Sequence, residues 1–187
     1  MKFSDLTDME IWLSFKKGDN RAVSFIYREY FSVLYRYGLK FSVDTFWVED
    51  TIQDLFADLI KNRETLGDTD NILFYLLKSF RRKLLRKMKK ENRYDLTGEM
   101  TDDYPFEVVW SAEHELIAGE ESDLRSSFLL KALEELTPRQ KEAVYLRFTK
   151  ELDYTVISEI MDISVEACRN LISKAISNIR KQINKKD

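Results

Sequence analysis

Apolar side chains return at intervals of three and four along the first half of the chain, the repeat that lines one face of an α-helix. Ile11, Phe15, Ala22, Phe25, Ile26, Tyr30 and Leu34 follow it and predict one or two amphipathic helices. Gly18-Asp19-Asn20 interrupts the run and offers a cap for the second of them. A further helix is expected from Val48 to Arg63. Its apolar Ile52, Leu55, Phe56 and Leu59 fall at i, i+3, i+4 and i+7, while Asp50, Gln53, Asp54 and Asp58 take other angles. Gly67-Asp68-Thr69-Asp70-Asn71 reads as a turn with capping residues. The next helix carries Ile72, Leu73, Leu76, Leu77, Phe80 and Leu84 into a basic run.

The pattern lapses from Asp95 to about Asp123, a stretch that contains Pro105 and reads as a linker, with room for local helix near Val108 to Ile117. Helical periodicity resumes near Ser126. Thr137-Pro138-Arg139-Gln140 has the form of a helix start: Thr137 caps, Pro138 takes the first helical position, and Gln140 reaches back to close a capping box. A short helix is expected from Tyr154 to Met161, a tight turn at Asp162-Ile163-Ser164, and a longer helix from Val165 to about Arg180. Two short helices that cross steeply need a small side chain where they approach, and Ser158 stands there. Ile157, Met161, Ile163, Cys168 and Leu171 supply the apolar contacts. This order is that of a helix-turn-helix for duplex DNA.

Composition agrees with helices. Only 5 Gly and 2 Pro punctuate 187 residues, while 44% are hydrophobic and 34% charged. The fold expected is all-α: a helical domain over residues 1–93, an acidic linker over 94–124, and a four-helix helix-turn-helix domain over 125–187. The single Cys168 rules out a disulfide framework within the chain and a multi-cysteine zinc site, and it suits a reducing cytoplasm. The amino terminus lacks a signal-peptide pattern, and the run Ile72 to Leu77 is too short to span a bilayer.

The net charge of −3 argues against nucleic acid until its distribution is considered. Lys78 to Arg93 holds nine bases against Glu91, 9 − 1 = +8, whereas Tyr94 to Asp123 holds ten acids and no Lys or Arg. Lys78, Arg81, Arg82, Lys83, Arg86 and Lys87 are candidates to neutralise phosphates. Ser164 can cap the second helix of the motif and leave its N–H groups near a phosphate. Glu166, Ala167, Arg169, Asn170, Ser173 and Lys174 are candidates for its outer face, since Arg and Asn suit guanine and adenine edges, and Ser and Lys suit bases or phosphates. No catalytic or metal constellation appears: His114 is the lone histidine, and no phosphate-binding glycine loop occurs. An enzyme and a cofactor are not expected.

Three segments resemble the extracytoplasmic-function group of bacterial sigma-70 factors. Leu133-Glu134-Glu135-Leu136-Thr137-Pro138-Arg139-Gln140-Lys141-Glu142-Ala143-Val144-Tyr145-Leu146-Arg147 is similar to the start of that group's second domain, and Ile157 to Val165 to its helix-turn-helix. Glu49-Asp50-Thr51-Ile52-Gln53-Asp54-Leu55-Phe56 resembles its polymerase-binding helix. The resemblance implies that Asp50, Gln53 and Asp54 dock on core RNA polymerase. It implies that the basic helix engages the upstream element of promoter DNA as the duplex opens, and that the helix-turn-helix reads the farther element. It also implies an anti-sigma protein as a partner, with no small-molecule substrate and no membrane insertion. Arg82 departs from the family's frequent Asn, and Leu171 from a common basic position. A helix-turn-helix regulator that is not a polymerase subunit is the alternative left open.

Overall fold

A computed structural model describes residues 3–91, 104–108 and 129–184. The chain divides into two compact units, 1–95 and 96–187. Helices account for its regular structure, and no strand occurs among the described residues.

In the first unit, α1 (Asp8–Lys16) begins in a capping box between Thr7 and Glu10. Its buried Ile11, Trp12 and Phe15 face the core. Gly18, at φ 86, takes the left-handed conformation that separates α1 from α2 (Asn20–Gly38), and Asp19 accepts from the Arg21 N–H at 2.8 Å to start the new helix. The expected break is therefore a true one. α3 (Thr45–Asn62) is capped by Asp44, and α4 (Ile72–Lys90) by Asn71, whose Oδ1 accepts from Phe74 N–H at 2.8 Å. α3 starts three residues ahead of the periodic pattern because Asp44, not the first apolar residue, supplies its cap.

Packing fixes these helices to one another. A Cβ on Gly38 would lie 2.6 Å from a Val48 methyl of α3 and about 3.1 Å from the Phe80 ring of α4. The missing side chain lets α2 end close against both. Asp8 at the start of α1 accepts from the Ile72 N–H of α4 at 2.7 Å and lies 3.5 Å from the Tyr30 hydroxyl of α2. One carboxylate thus ties three helices together. Trp12 donates to the Gly67 carbonyl at 2.9 Å, which pins the turn before α4.

The second unit holds α5 over residues 129–134, then α6 (Pro138–Val144) extended by a π-helical turn (Tyr145–Thr149), α7 (Tyr154–Met161) and α8 (Val165–Asn184). Leu133, Leu136, Val144 and Ala175 form its buried apolar cluster, with Ile179 against it. Residues 104–108 also belong here. Tyr104 and Phe106 are buried; the Tyr104 hydroxyl donates to the buried Glu142 carboxylate, and the Phe106 ring meets Tyr145 edge-on at 5.9 Å. Outside them Lys141 pairs with Glu107 at 3.0 Å. Periodicity gives no sign of this, since a five-residue extended segment has no repeat to detect.

Candidate nucleic-acid and partner interfaces

The helix-turn-helix is assembled from α7 and α8. Asp162 ends α7 at φ 57 and ψ 51, the left-handed conformation, and Ile163 N–H returns to the Ser158 carbonyl at 2.9 Å. Ser158 is buried at the crossing, its hydroxyl donating to the Thr155 carbonyl at 2.7 Å. Ser164 opens α8 by accepting from the Ala167 N–H at 3.0 Å. Ile157, Met161, Cys168, Ile172 and Ala175 are buried, whereas Ile163 and Leu171 are half-buried.

The opposite face of α8 is open. Glu166, Ala167, Arg169, Asn170, Ser173 and Lys174 are all exposed, so the candidate reading residues share one solvent-facing surface. Tyr154 was not singled out in the sequence, yet its ring carries two guanidiniums: Arg147 at 4.9 Å and Arg169 at 5.8 Å from the centroid. Arg147 is itself held by the Leu152 carbonyl at 2.8 Å and by Asp153 at 3.5 Å. Spacing in sequence could not reveal the trio, because its members come from the turn after α6 and from two helices. Cys168 is buried and its thiol is pushed above its ordinary range by that burial, so it is a core residue and not a nucleophile.

On the first unit the cations of the basic helix α4 separate into four groups. Arg82 and Arg86 are exposed, as are Lys89 and Lys90, which the sequence reading left out of the contact set. Lys83 and Lys87 are drawn onto α3: Lys83 pairs with Asp58, and Lys87 pairs with Asp50, with Asp54 at 3.9 Å. Lys78 stands 5.4 Å over the Phe74 ring. Arg81 departs most from expectation. Only 2% exposed, it shares the inward phase of Leu77, Leu84 and Met88, so its guanidinium is withdrawn from the phosphate-facing surface.

Asp50, Gln53 and Asp54 are exposed together on α3. Phe46, one turn earlier, is 84% exposed, and Ile60 also reaches solvent. These two apolar residues bracket the polar group on the same helix; they lie outside the acidic motif, so motif matching passes over them. Between α3 and α4 runs an open groove whose lining includes Asp54, Asp58, Asn62, Arg82, Arg86 and Lys90. Among the described residues no group of three or more His, Cys, Asp or Glu is placed to hold a metal ion, and no helix is long and apolar enough to cross a membrane.

Residues 129–179 match the family model "Sigma-70, region 4". That match covers the helix-turn-helix and the helices before it. Among solved structures, CnrH, determined in complex with the cytosolic domain of CnrY, is similar at a TM-score of 0.62 and 13% identity, over 96% of this chain and 99% of that one. The sigma factor RpoE from Bartonella quintana, determined with the anti-sigma factor NepR, is similar at 0.56 and 16% identity, over 88% and 96%. At such identity the likeness is one of fold. Comparison with curated proteins gives no match. The all-α fold expected from the sequence is the one observed among the described residues.

Proposed function

We propose that this chain is a sigma factor of the sigma-70 family, of the extracytoplasmic-function group, that joins core RNA polymerase and directs initiation at promoters recognised through two elements. The region 4 match over the helix-turn-helix carries the reading, because it falls on the unit whose α8 presents Arg169, Asn170, Ser173 and Lys174 to solvent. Backbone N–H groups at the start of α8 suit a phosphate, and Arg169 and Asn170 suit base edges in the major groove. On α4, exposed Arg82 and Arg86 suit the backbone of the upstream element as it opens. Asp50, Gln53 and Asp54 suit basic groups on the polymerase, where paired charges set orientation more than affinity. RpoE's complex with an anti-sigma factor supports an inhibitory protein partner for this chain as well.

The chain performs no chemistry of its own in this scheme; it positions the polymerase. Reconstitution with core polymerase, followed by mapping of transcript starts on genomic DNA fragments, tests it. A set of starts sharing two upstream elements is expected. Polymerase binding without promoter-specific starts would reject the sigma role and leave a regulator that binds DNA by the same motif.

A further inference from the structure

Two of the cations on the basic helix are already committed within the first unit. Lys87 pairs with Asp50, has Asp54 at 3.9 Å, and lies 5.5 Å over the Trp47 ring; Lys83 pairs with Asp58. The side chains of Lys83 and Lys87 are 23% and 19% exposed, whereas those of Asp50, Asp54 and Asp58 are 64%, 53% and 63% exposed. The cations are thus largely covered while their carboxylates remain open to an incoming group. Beside them Arg82, Arg86 and Lys90 form an exposed row at i, i+4 and i+8, and none of the three makes an ion pair among the described residues.

This geometry puts one set of charges on two surfaces. A carboxylate paired to a partner's Lys or Arg holds Lys83 or Lys87 less firmly, and a released lysine lies next to the Arg82–Arg86–Lys90 row. We propose that a cationic protein surface seated on the acids of α3 displaces Lys83 and Lys87 and so hands them to a nucleic-acid backbone on α4. Docking on α3 and nucleic-acid binding on α4 then favour each other, and the coupling is equal in both directions. This inference rests on the reading of α3 as the polymerase-docking face. It places the intramolecular restraint on α3.

Exposed ion pairs are individually weak, so the effect of each is about two- to five-fold. Each lysine released to DNA steepens the dependence of log K on log salt by about 0.7 to 0.9. The test is a double-mutant cycle on the full chain without polymerase, titrated with a fluorescent duplex that contains a central unpaired segment. D50N/D58N should bind about three-fold more tightly at low salt, with a slope steeper by more than one. In a K83M/K87M background the same acid substitutions should change neither quantity. An equal gain in both backgrounds would mean that removing negative charge acts at long range, and would overturn the proposal.

A second measurement separates this from the docking reading. The unpaired duplex should raise the affinity of the wild-type chain for core polymerase, and should raise that of K83M/K87M less. Equal enhancement overturns the coupling alone. No polymerase binding by the wild-type chain overturns the docking reading and the coupling with it, even where the DNA cycle succeeds.

Discussion

The Arg169 guanidinium lies 5.8 Å from the centroid of the Tyr154 ring, which joins the first residue of α7 to the second turn of α8. An aromatic face holds a guanidinium by its quadrupole and fixes its plane without taking up its N–H donors. Arg169 is thereby oriented while still able to donate. Replacing Tyr154 by Leu should lower promoter affinity about two- to five-fold, in line with an exposed cation–π contact of about 0.5–1 kcal/mol. Tyr154→Phe should retain affinity, since the ring remains. Fluorescence titration of both variants is decisive; equal losses would show that the hydroxyl, not the face, is what matters.

Tyr104 and Phe106 should behave as core residues of the second unit although they stand far from its helices in sequence. Phe106→Ala removes a fully buried ring and should cost about 3–5 kcal/mol. Tyr104→Phe takes a donor from the buried Glu142 and should cost about 1–3 kcal/mol. Denaturant melts of the full chain, followed by a probe in each unit, should show both losses in the second unit's transition only. An unchanged transition for Phe106→Ala would detach the segment from that unit.

Asp162 occupies a left-handed position that glycine fills without steric cost. Asp162→Gly should therefore stabilise the second unit by a few tenths to about 1 kcal/mol, and Asp162→Val should destabilise it by about 1–2 kcal/mol. The two shifts have opposite signs, so a pair of thermal melts checks the assignment. A loss on Asp162→Gly would show that the carboxylate does more than tolerate the turn.

The first unit should lose stability at high pH through Tyr30. Burial, and then the negative charge of Asp8, push its hydroxyl up from 10.0 to about 12. The folded unit binds that proton more tightly than the unfolded chain. Its contribution is therefore complete below pH 10 and is lost as pH rises towards 12. Tyr30→Phe should flatten this part of the pH–stability curve, measured by urea melts between pH 8 and 12. A curve identical to wild type would remove Tyr30 as its cause.

Much of this architecture is visible in the sequence because local signals agree. The capping box at Thr137 and Gln140, the break at Gly18-Asp19-Asn20 and the span Tyr154–Met161 each depend on residues a few positions apart. The outward set on α8 follows from helical phase once its buried stripe is known. What the sequence conceals depends on partners distant along the chain. Arg81 looks like one more cation in a basic run until its position on the buried stripe of α4 is seen. Lys83 and Lys87 look available until α3 brings Asp58 and Asp50 to them. Phe46 looks like a core aromatic until the helix turns it outward.

The docking of Tyr104 and Phe106 also changes the polymer physics of the acidic stretch. Val108 and α5 both belong to the second unit, so the sequence between them joins two points of one unit, whereas positions 92–103 join the first unit to Tyr104. The acids divide accordingly: Asp95, Glu99, Asp102 and Asp103 fall in the joining segment, and Glu113, Glu115, Glu120, Glu121 and Asp123 in the one that begins and ends on the second unit. Lengthening the first by insertion relaxes a tether; lengthening the second only enlarges a loop.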